Sequence, residues 1–195
     1  VGCESATASG TITITDQPID PIIQPVATIC DGETLEIAIQ NYAGTNVIYN
    51  WTFAGNAISN NTPTLIIPSA TSANSGTYTV SVEVDGCPSD IATIEITIND
   101  AVIAMVNNQD LPCVNTGTSL TLNNTITGGS GSYTFEWTGP NGFTSSAATP
   151  IVTNITASNS GVYNLVVTDS VGCESATASG TITITDQPID PIIQP

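Results

Sequence analysis

The sequence contains no lysine, no arginine and no histidine, whereas aspartate and glutamate together number 17 and give a formal charge of −17. Without cationic side chains the chain has nothing to neutralise phosphate groups, which argues against nucleic acids and anionic membrane surfaces as partners. Salt bridges between side chains cannot form either. Stability therefore has to come from apolar burial, backbone hydrogen bonds and covalent cross-links.

The residue types that most active sites use are also missing. There is no histidine or lysine to act as a base, no Cys–His pair and no glycine-rich phosphate loop. Carboxylates alone could serve a glycosidase, but here they are scattered along turns and linkers instead of gathering around an aromatic cleft. We therefore expect no enzyme activity and no cofactor.

Long hydrophobic runs and helical periodicity are absent as well. No apolar run approaches the ~20 residues that span a bilayer, so this chain is not expected to insert into a membrane. What is present is period-two alternation rich in Ile, Val and Thr, which is typical of half-buried strands. The pattern predicts an all-β protein with strands at 34–40, 47–53, 64–67, 76–84, 91–98, 119–123, 133–137, 151–155, 161–168 and 176–185.

Four aromatic residues indicate the kind of β-sandwich. Trp51 and Trp137 lie within predicted strands, and each precedes a tyrosine, Tyr78 or Tyr163, by almost the same distance in sequence. A tryptophan on the third strand and a tyrosine at the start of the sixth are the arrangement of immunoglobulin-like (Ig-like) sandwiches. We expect these four residues to be fold landmarks in the cores and not a binding site.

A letter-for-letter repeat sets the domain organisation. Residues 1–25 reappear at 171–195, so the sequence begins and ends at the same phase of a repeat that is long enough for two small domains. We therefore expect a window of a longer linear array of Ig-like domains. Its expected parts are the last strand of a preceding domain (1–15), a proline-rich linker (16–25), a first Ig-like domain (26–100), a second one (101–185) and the linker to the next repeat (186–195). Because proline fixes φ, the linkers should be extended and fairly stiff.

Several segments resemble a known group of proteins. TICDGETLEI, SGTYTVSVEVDGCPS, GGSGSYTFEWTGPNGF and SGVYNLVVTDSVGCES resemble the Ig-like repeats of very large cell-surface proteins of Bacteroidota, among them gliding-motility adhesins. The resemblance implies export by the type IX secretion pathway and display as long filaments or stalks. Asp169, Ser170 and Val171 also resemble the Asp-Ser/Thr-aliphatic O-glycosylation signal of that phylum, which makes Ser170 a candidate glycosylation site.

The cysteines indicate disulfides. Five occur, but Cys3 and Cys173 occupy the same position of the repeat, so each repeat has four. An even number in a β protein expected outside the cell favours disulfides, whereas the absence of CxxC spacing and of histidine argues against zinc.

The topology of an Ig sandwich suggests how these cysteines pair. Cys30 and Cys113 precede the second strand of their domains, whereas Cys87 and Cys173 follow the strands that the corner tyrosines open. Those two turns lie at opposite ends of one sandwich, ~23 Å apart, which is too far for a disulfide. We therefore prefer pairing between neighbouring domains, Cys30 with Cys173 and Cys113 with an adjacent repeat's copy of Cys87. The alternatives are the intradomain pairs Cys30–Cys87 and Cys113–Cys173, or free thiols.

Carboxylates near the domain junctions raise the alternative of calcium binding, because hard cations take oxygen ligands. The candidates are Asp16, Asp20, Asp31, Glu33, Asp100 and Asp190. No loop matches a known calcium motif, so solvated acids are the preferred interpretation.

Together these features predict a structural repeat of an extracellular or cell-surface stalk, filament or fibre, whose partners are neighbouring repeats or copies of itself. The alternative is an adhesin repeat that itself binds glycans or a partner cell, for instance through the loop at 138–144. Turn chemistry accounts equally well for the glycine and asparagine of that loop.

Overall fold

The computed structural model describes residues 9–10, 16–115 and 117–188. Within these residues the regular elements are strands, apart from three single-turn 3₁₀ helices at Ser72–Asn74, Pro140–Gly142 and Ala157–Asn159. No helix in this part of the chain is long and apolar enough to cross a membrane. The predicted all-β class is confirmed. Most of the predicted strand at 1–15, including Cys3, and the predicted linker from 189 onward with Asp190 lie outside the described residues.

The strands are numbered in chain order. Before residue 100 they are β1 (Ile29–Cys30), β2 (Leu35–Ala38), β3 (Val47–Phe53), β4 (Asn56–Ala57), β5 (Thr64–Ile67), β6 (Gly76–Val84), β7 (Cys87–Pro88), β8 (Ala92–Ile96) and β9 (Ile98–Asn99). After it they are β10 (Ile103–Val106), β11 (Gln109–Val114), β12 (Leu120–Thr121), β13 (Asn124–Thr127), β14 (Tyr133–Gly139), β15 (Phe143–Ser145), β16 (Ile151–Val152), β17 (Gly161–Asp169) and β18 (Ala178–Asp186).

The alternation pattern located the long strands better than the short ones. Strands β3, β5 and β6 have the predicted bounds, whereas the predicted strand at 91–98 is divided into β8 and β9. The pattern missed β11, which contains Pro112 and reads as a loop. Proline is tolerated there because β11 is an edge strand, hydrogen-bonded only to β18 among the described strands.

The chain divides into two compact units, the first made of Val1–Val26, Glu36–Ile67 and Gly76–Ile96. In it, β4, β3, β6 and β7 form a sheet in that order, with β8 also paired to β6, and β2 pairs with β5. The register places Trp51 opposite Val80 and Phe53 opposite Tyr78. Trp51 and Tyr78 are buried, and the Trp51 indole N–H donates to the carbonyl of Thr62 at 3.0 Å. The core of this unit is thus built around the first pair of predicted landmarks.

The second unit comprises Ala27–Leu35, Pro68–Ser75 and Thr97–Pro195. Its larger sheet has the order β11-β18-β17-β14-β15, and β10-β13 and β12-β16 are two further antiparallel pairs. The parallel pair β1-β9 also belongs to this unit. Its core surrounds Trp137 and Tyr163, which are fully buried, and the Trp137 indole N–H donates to the carbonyl of Ala147 at 3.1 Å.

Tyr163 forms a tyrosine corner. Its hydroxyl donates to the carbonyl of Asn159, a short way upstream, at 3.0 Å. Burial raises the pKa of the Tyr163 hydroxyl above its ordinary value of 10.0. The neutral hydroxyl is therefore the form that the folded unit stabilises, since the ionised form could not donate this hydrogen bond.

Replacing Tyr163 with Phe should lower the free energy of unfolding by about 1 kcal/mol, because one hydrogen bond of a buried ring is lost. Urea unfolding followed by circular dichroism measures the change. The matched control is Tyr133→Phe, which removes a hydroxyl bonded to the carbonyl of Gly128 from a less buried ring and should cost less.

The pH dependence gives a second readout of the same buried hydroxyl. Because the folded-state pKa of Tyr163 is raised, its contribution to stability should be complete below the ordinary value of 10.0 and lost as the pH rises through the folded-state value. Tyr163→Phe should therefore reduce the loss of stability at alkaline pH. An unchanged alkaline profile would show that Tyr163 does not contribute to it.

Candidate functional site: the Cys30–Cys173 disulfide

A disulfide joins Cys30 to Cys173 at a sequence separation of 143, with an S–S distance of 2.02 Å and a Cα–Cα distance of 5.7 Å. This is the pairing that the sequence analysis preferred. The alternative pairs Cys30–Cys87 and Cys113–Cys173 are incompatible with it, because each would need a sulfur that this bond already uses. The bond and the turns that hold it form the candidate functional site.

Cys30 is held at the end of the parallel pair β1-β9, where it lies opposite Asn99. The Glu33 carboxylate accepts a hydrogen bond from the Cys30 N–H at 2.9 Å, and the Glu33 N–H donates to the Cys30 carbonyl at 3.0 Å. The next residue, Asp31, donates its N–H to the carbonyl of Asn99 at 2.8 Å. The turn after β1 thereby fixes the backbone on both sides of the cysteine.

Cys173 is held by a buried carboxylate at the end of β17. Asp169 Oδ1 accepts the N–H groups of Cys173 at 2.9 Å and Val171 at 3.0 Å, and Oδ2 accepts the N–H of Ser130 at 2.8 Å. The Asp169 N–H donates to the Cys173 carbonyl at 3.0 Å. Both half-cystines are therefore bonded through their own N–H to a nearby carboxylate.

The ionised form of Asp169 is the one that suits this turn. Burial alone would raise its pKa, but the backbone hydrogen bonds from Cys173, Ser130, Val171 and Gly172 outweigh burial and hold the pKa below the ordinary 3.8. The stabilising effect of Asp169 is therefore present above the ordinary 3.8 and is lost as the pH falls through the lowered pKa.

The Cys173 half of the bond is shielded from solvent. Cys173 is 1% exposed and belongs to the core cluster of the second unit, and Cys30 packs against the same cluster. A dissolved thiol must reach a disulfide sulfur to reduce it. Attack on the Cys173 sulfur therefore requires this turn to open, whereas Cys30 is half-buried.

The turn containing Cys87 has the same framework as the turn containing Cys173. In the second unit, Ser175 Oγ accepts the N–H of Val167 at 3.0 Å. In the first unit, Ser89 Oγ accepts the N–H of Val82 at 2.9 Å. Each serine comes shortly after its cysteine and is buried. Asp85 corresponds to Asp169, because its carboxylate accepts the N–H groups of Thr45 at 3.1 Å and Asn46 at 2.9 Å.

Cys113 corresponds to Cys30. Each lies on a strand that pairs in parallel with a strand later in the sequence. Cys30 lies on β1, which pairs with β9, and Cys113 lies on β11, which pairs with β18. Cys113 sits in an irregularity of β11 between Leu111 and Val114, has a φ of 57° and is exposed.

The calcium candidates are used as hydrogen-bonding groups where the structure describes their contacts. Asp20 Oδ1 accepts the N–H of Asp90 at 3.1 Å, and Glu33 holds Cys30 as described above. Within the described residues, no three potential metal ligands lie close enough together to hold an ion. Asp16, Asp31 and Asp100 therefore belong to no such cluster there. Calcium binding is left as a hypothesis without a defined site.

The loop at 138–144 is the turn of the hairpin β14-β15. Asn141 has a φ of 57° and Gly142 a φ of 71°, and the Asn141 side-chain amide donates to the carbonyl of Ser158 at 3.0 Å. Turn chemistry therefore accounts for the asparagine and the glycine. Ser170 is exposed at the turn after β17, and its hydroxyl donates to the carbonyl of Ser130 at 2.8 Å.

Sequence reasoning did not identify the roles of Asp169, Glu33 and Ser175. A signal for two of them was present. The strings DGCPS at 85–89 and DSVGCES at 169–175 both place an aspartate before Gly-Cys-x-Ser. An aspartate with a serine around a Gly-Cys turn is the kind of local pattern that forms side-chain to backbone hydrogen bonds.

No protein-family model matches the chain, and neither does any curated protein. Among solved structures, the N-terminal eight Ig domains of Down Syndrome Cell Adhesion Molecule are similar to it with a TM-score of 0.52 and 16% identity, over 85% of this chain and 25% of that chain. The chain thus spans about a quarter of that structure. It is also similar to three Ig domains of titin, with a TM-score of 0.47 and 12% identity over 85% of this chain and 66% of that one. For three N-terminal domains of the bacteriophage RB49 outer capsid protein Hoc the values are 0.41 and 22%, over 84% and 58%. The first likeness shows the fold, which is that of tandem Ig-like β-sandwiches.

Asp169→Asn should make the disulfide reducible on the order of tenfold faster, because the amide retains one acceptor oxygen in place of two and carries no charge. Labelling of released thiols during exposure to dithiothreitol measures the rate. Asp85→Asn is the matched control, since it removes the same charge from the corresponding turn of the first unit and should leave the rate unchanged. Equal rates in all three proteins would contradict the role assigned to Asp169.

Proposed function

We propose that the chain is a structural repeat module of an extracellular stalk, filament or fibre on a bacterial surface. The observation that carries this proposal is the disulfide between Cys30 and Cys173, which closes a loop across a sequence separation of 143. Its mechanical consequence follows from the path that tension takes through the chain.

Tension applied to the chain bypasses the closed loop. A force entering from residue 16 and leaving at residue 188 passes through the backbone to Cys30, across the sulfur atoms and onward from Cys173. The residues between the cysteines then bear no load along the backbone and cannot be drawn out. Since an extended chain spans ~3.3–3.6 Å per residue, the bond withholds roughly 500 Å of length. A module of this kind keeps its length under load.

In an array of repeats, every repeat would resist extension in the same way. Because Cys173 occupies the repeat position of Cys3, the chain between Cys173 and the next copy of Cys30 is only as long as the stretch from Cys3 to Cys30. We propose the domain limits 26–100 and 101–185, with 16–25 and 186–195 joining them to neighbouring repeats. The disulfide would then connect two consecutive sandwiches, and each repeat would contribute little extensible chain.

The same joint is proposed for the other pair of cysteines. Cys113 of one repeat would pair with the copy of Cys87 in the following repeat, at a sequence separation almost equal to the 143 of the observed bond. The correspondence of Cys113 with Cys30 and of the Cys87 turn with the Cys173 turn supports this pairing. Tension could then pass along the array by two parallel routes, one through the Cys30–Cys173 bonds and one through the Cys113–Cys87 bonds.

The setting is proposed from resemblance and chemistry. Disulfides persist in oxidising compartments, which supports an extracellular location. The likeness of the sequence to Ig-like repeats of Bacteroidota surface proteins supports a surface filament in that phylum, export by type IX secretion and glycosylation at the exposed Ser170. Neighbouring repeats or copies of the chain would be its partners. The adhesin alternative has no support from the loop at 138–144, whose residues are accounted for by the hairpin.

Pulling the chain by its two ends should show the load bypass directly. In oxidising buffer, single-molecule force spectroscopy should find a short total extension. Dithiothreitol should add roughly 500 Å, the length of the released loop. The variant Cys30→Ser/Cys173→Ser should show the long extension in both buffers, whereas Cys113→Ser should behave like the parent. A long extension of the oxidised parent chain would overturn the mechanical proposal.

Disulfide mapping of a chain containing two or more consecutive repeats tests the second joint. Mass spectrometry of non-reduced peptides should find Cys113 linked to the copy of Cys87 in the following repeat. Cys113→Ser should remove that species and leave Cys30–Cys173 intact. Peptides linking Cys87 to Cys30 in the same preparation would contradict the scheme.

A further inference from the structure

The disulfide between Cys30 and Cys173 has one accessible side. Cys30 is half-buried, whereas Cys173 is 1% exposed and lies in the core cluster of the second unit. A thiolate reduces a disulfide by attacking one sulfur while the other leaves as a thiolate. The route open to a dissolved thiol is therefore attack on Cys30 Sγ, with the sulfur of Cys173 as the leaving group.

Carboxylates lie close to both sulfur atoms. A Glu33 carboxylate oxygen is 2.9 Å from the Cys30 nitrogen, and Asp169 Oδ1 is 2.9 Å from the Cys173 nitrogen. Since bond lengths keep a cysteine sulfur within ~4 Å of its own backbone nitrogen, each of these oxygens is within about 7 Å of a half-cystine sulfur. A negative charge therefore accompanies the attacked sulfur as well as the leaving one.

Two further carboxylates and the absence of cations add to this negative charge. Asp31 and Glu174 directly follow the two cysteines in the chain, and both of these residues and Glu33 are exposed. The sequence contains no lysine, arginine or histidine, so no basic side chain of this chain can offset them. Salt screens exposed charges only beyond about 8 Å at physiological ionic strength. An approaching reductant therefore meets a negative potential at the half-cystine that it must attack.

We infer that the Cys30–Cys173 bond is a thiol–disulfide exchange site that takes cationic thiols and resists anionic ones. The resisted class comprises thiols that carry carboxylate or sulfonate groups. The inference deepens the proposed function, on which its biological use rests, because it names the class of reagent that can open the joint of the fibre. Glu33, which is exposed and bonded to Cys30, contributes most directly to this charge preference.

Exchange proceeds in two balanced steps. The thiolate of the reductant forms a bond to Cys30 Sγ, the S–S bond breaks, and its electron pair leaves with Cys173 Sγ, which takes a proton from solvent. A second molecule of the reductant then attacks the mixed disulfide and releases the Cys30 thiol and the oxidised reductant. The first step places a thiolate in the core cluster beside the Asp169 carboxylate. Burial of that charge slows reduction by every thiol, whatever charge the thiol itself carries.

Coulomb's law gives the size of the charge preference. When the reductant's own charge is about 10 Å from a carboxylate, that carboxylate favours a cation over an anion by about fourfold, even with the dielectric constant of bulk water. Two or more carboxylates in this range therefore give a preference of about tenfold at low salt.

The experiment compares cysteamine, β-mercaptoethanol and mercaptoethanesulfonate, which are small thiols with a positive, a zero and a negative charge. Alkylation followed by mass spectrometry measures how fast the oxidised chain loses the Cys30–Cys173 bond. Each rate is expressed per thiolate present and divided by the rate with hydroxyethyl disulfide, which removes differences in intrinsic reactivity. We expect the parent chain to favour the cationic thiol over the anionic one about tenfold at an ionic strength of about 0.01 M.

Glu33→Gln/Glu174→Gln removes one exposed carboxylate next to each cysteine, while the amide at position 33 can still accept the N–H of Cys30. The preference should fall to about threefold. The matched control is Glu95→Gln/Glu136→Gln, which removes the same charge from exposed positions of β8 and β14 and should retain the preference of the parent. Equal preferences in the parent and in Glu33→Gln/Glu174→Gln, or an equal fall in the control, would overturn the inference.

Two measurements on the parent chain need no substitution. Raising the ionic strength to about 1 M shortens the screening length to ~3 Å and should remove most of the preference. A preference that salt leaves unchanged would refute the role of the carboxylates. Alkylation before the second step should trap the mixed disulfide on Cys30 and the alkyl group on Cys173, and the reverse assignment would contradict the route. All of these results leave the load bypass through Cys30–Cys173 standing, since force spectroscopy measures it separately.

Discussion

The bond between Cys30 and Cys173 is the constraint around which the second unit is organised. A chain without a single cationic side chain cannot use ion pairs to hold distant segments together. Apolar burial is non-directional, and it does not by itself prevent a chain from being drawn out under tension. A covalent link across a sequence separation of 143 supplies a connection that survives when weaker contacts open. In the chain-entropy description, closing a loop of this length stabilises the folded state by about 5 kcal/mol.

Backbone N–H groups take the place of basic side chains as partners of the carboxylates. Asp169, Asp85, Glu33 and Asp20 each accept hydrogen bonds from backbone N–H groups. Such bonds satisfy the charge locally, because an N–H dipole stabilises an anion much as a nearby cation would. They also fix turns at the positions where cysteines or chain segments must be held. The acidic composition is therefore compatible with a well-defined backbone.

The turns and strands that contain the cysteines are alike in the two units. The Gly-Cys-x-Ser turns after β6 and β17 have corresponding aspartates and serines. The strands β1 and β11 pair in parallel with the later strands β9 and β18. The segment at 19–24 is bonded to Gln40 of the first unit, and its sequence recurs at 189–194. The two units therefore share the turns and strand pairings in which their cysteines lie.

The sequence by itself determined the fold class and the landmark residues. Alternation along the long strands β3, β6 and β17 is a local signal, because burial of one face repeats every second residue. Spacing and topology also favoured the pairing of Cys30 with Cys173. Only the tertiary structure decided that Asp169 and Glu33 hold the half-cystines, that β10 and β11 are strands, and that Gln40 binds the segment at 19–24. These features depend on sheet edges or on partners brought together by folding, and no local pattern encodes a hydrogen bond whose acceptor is supplied by a distant part of the chain.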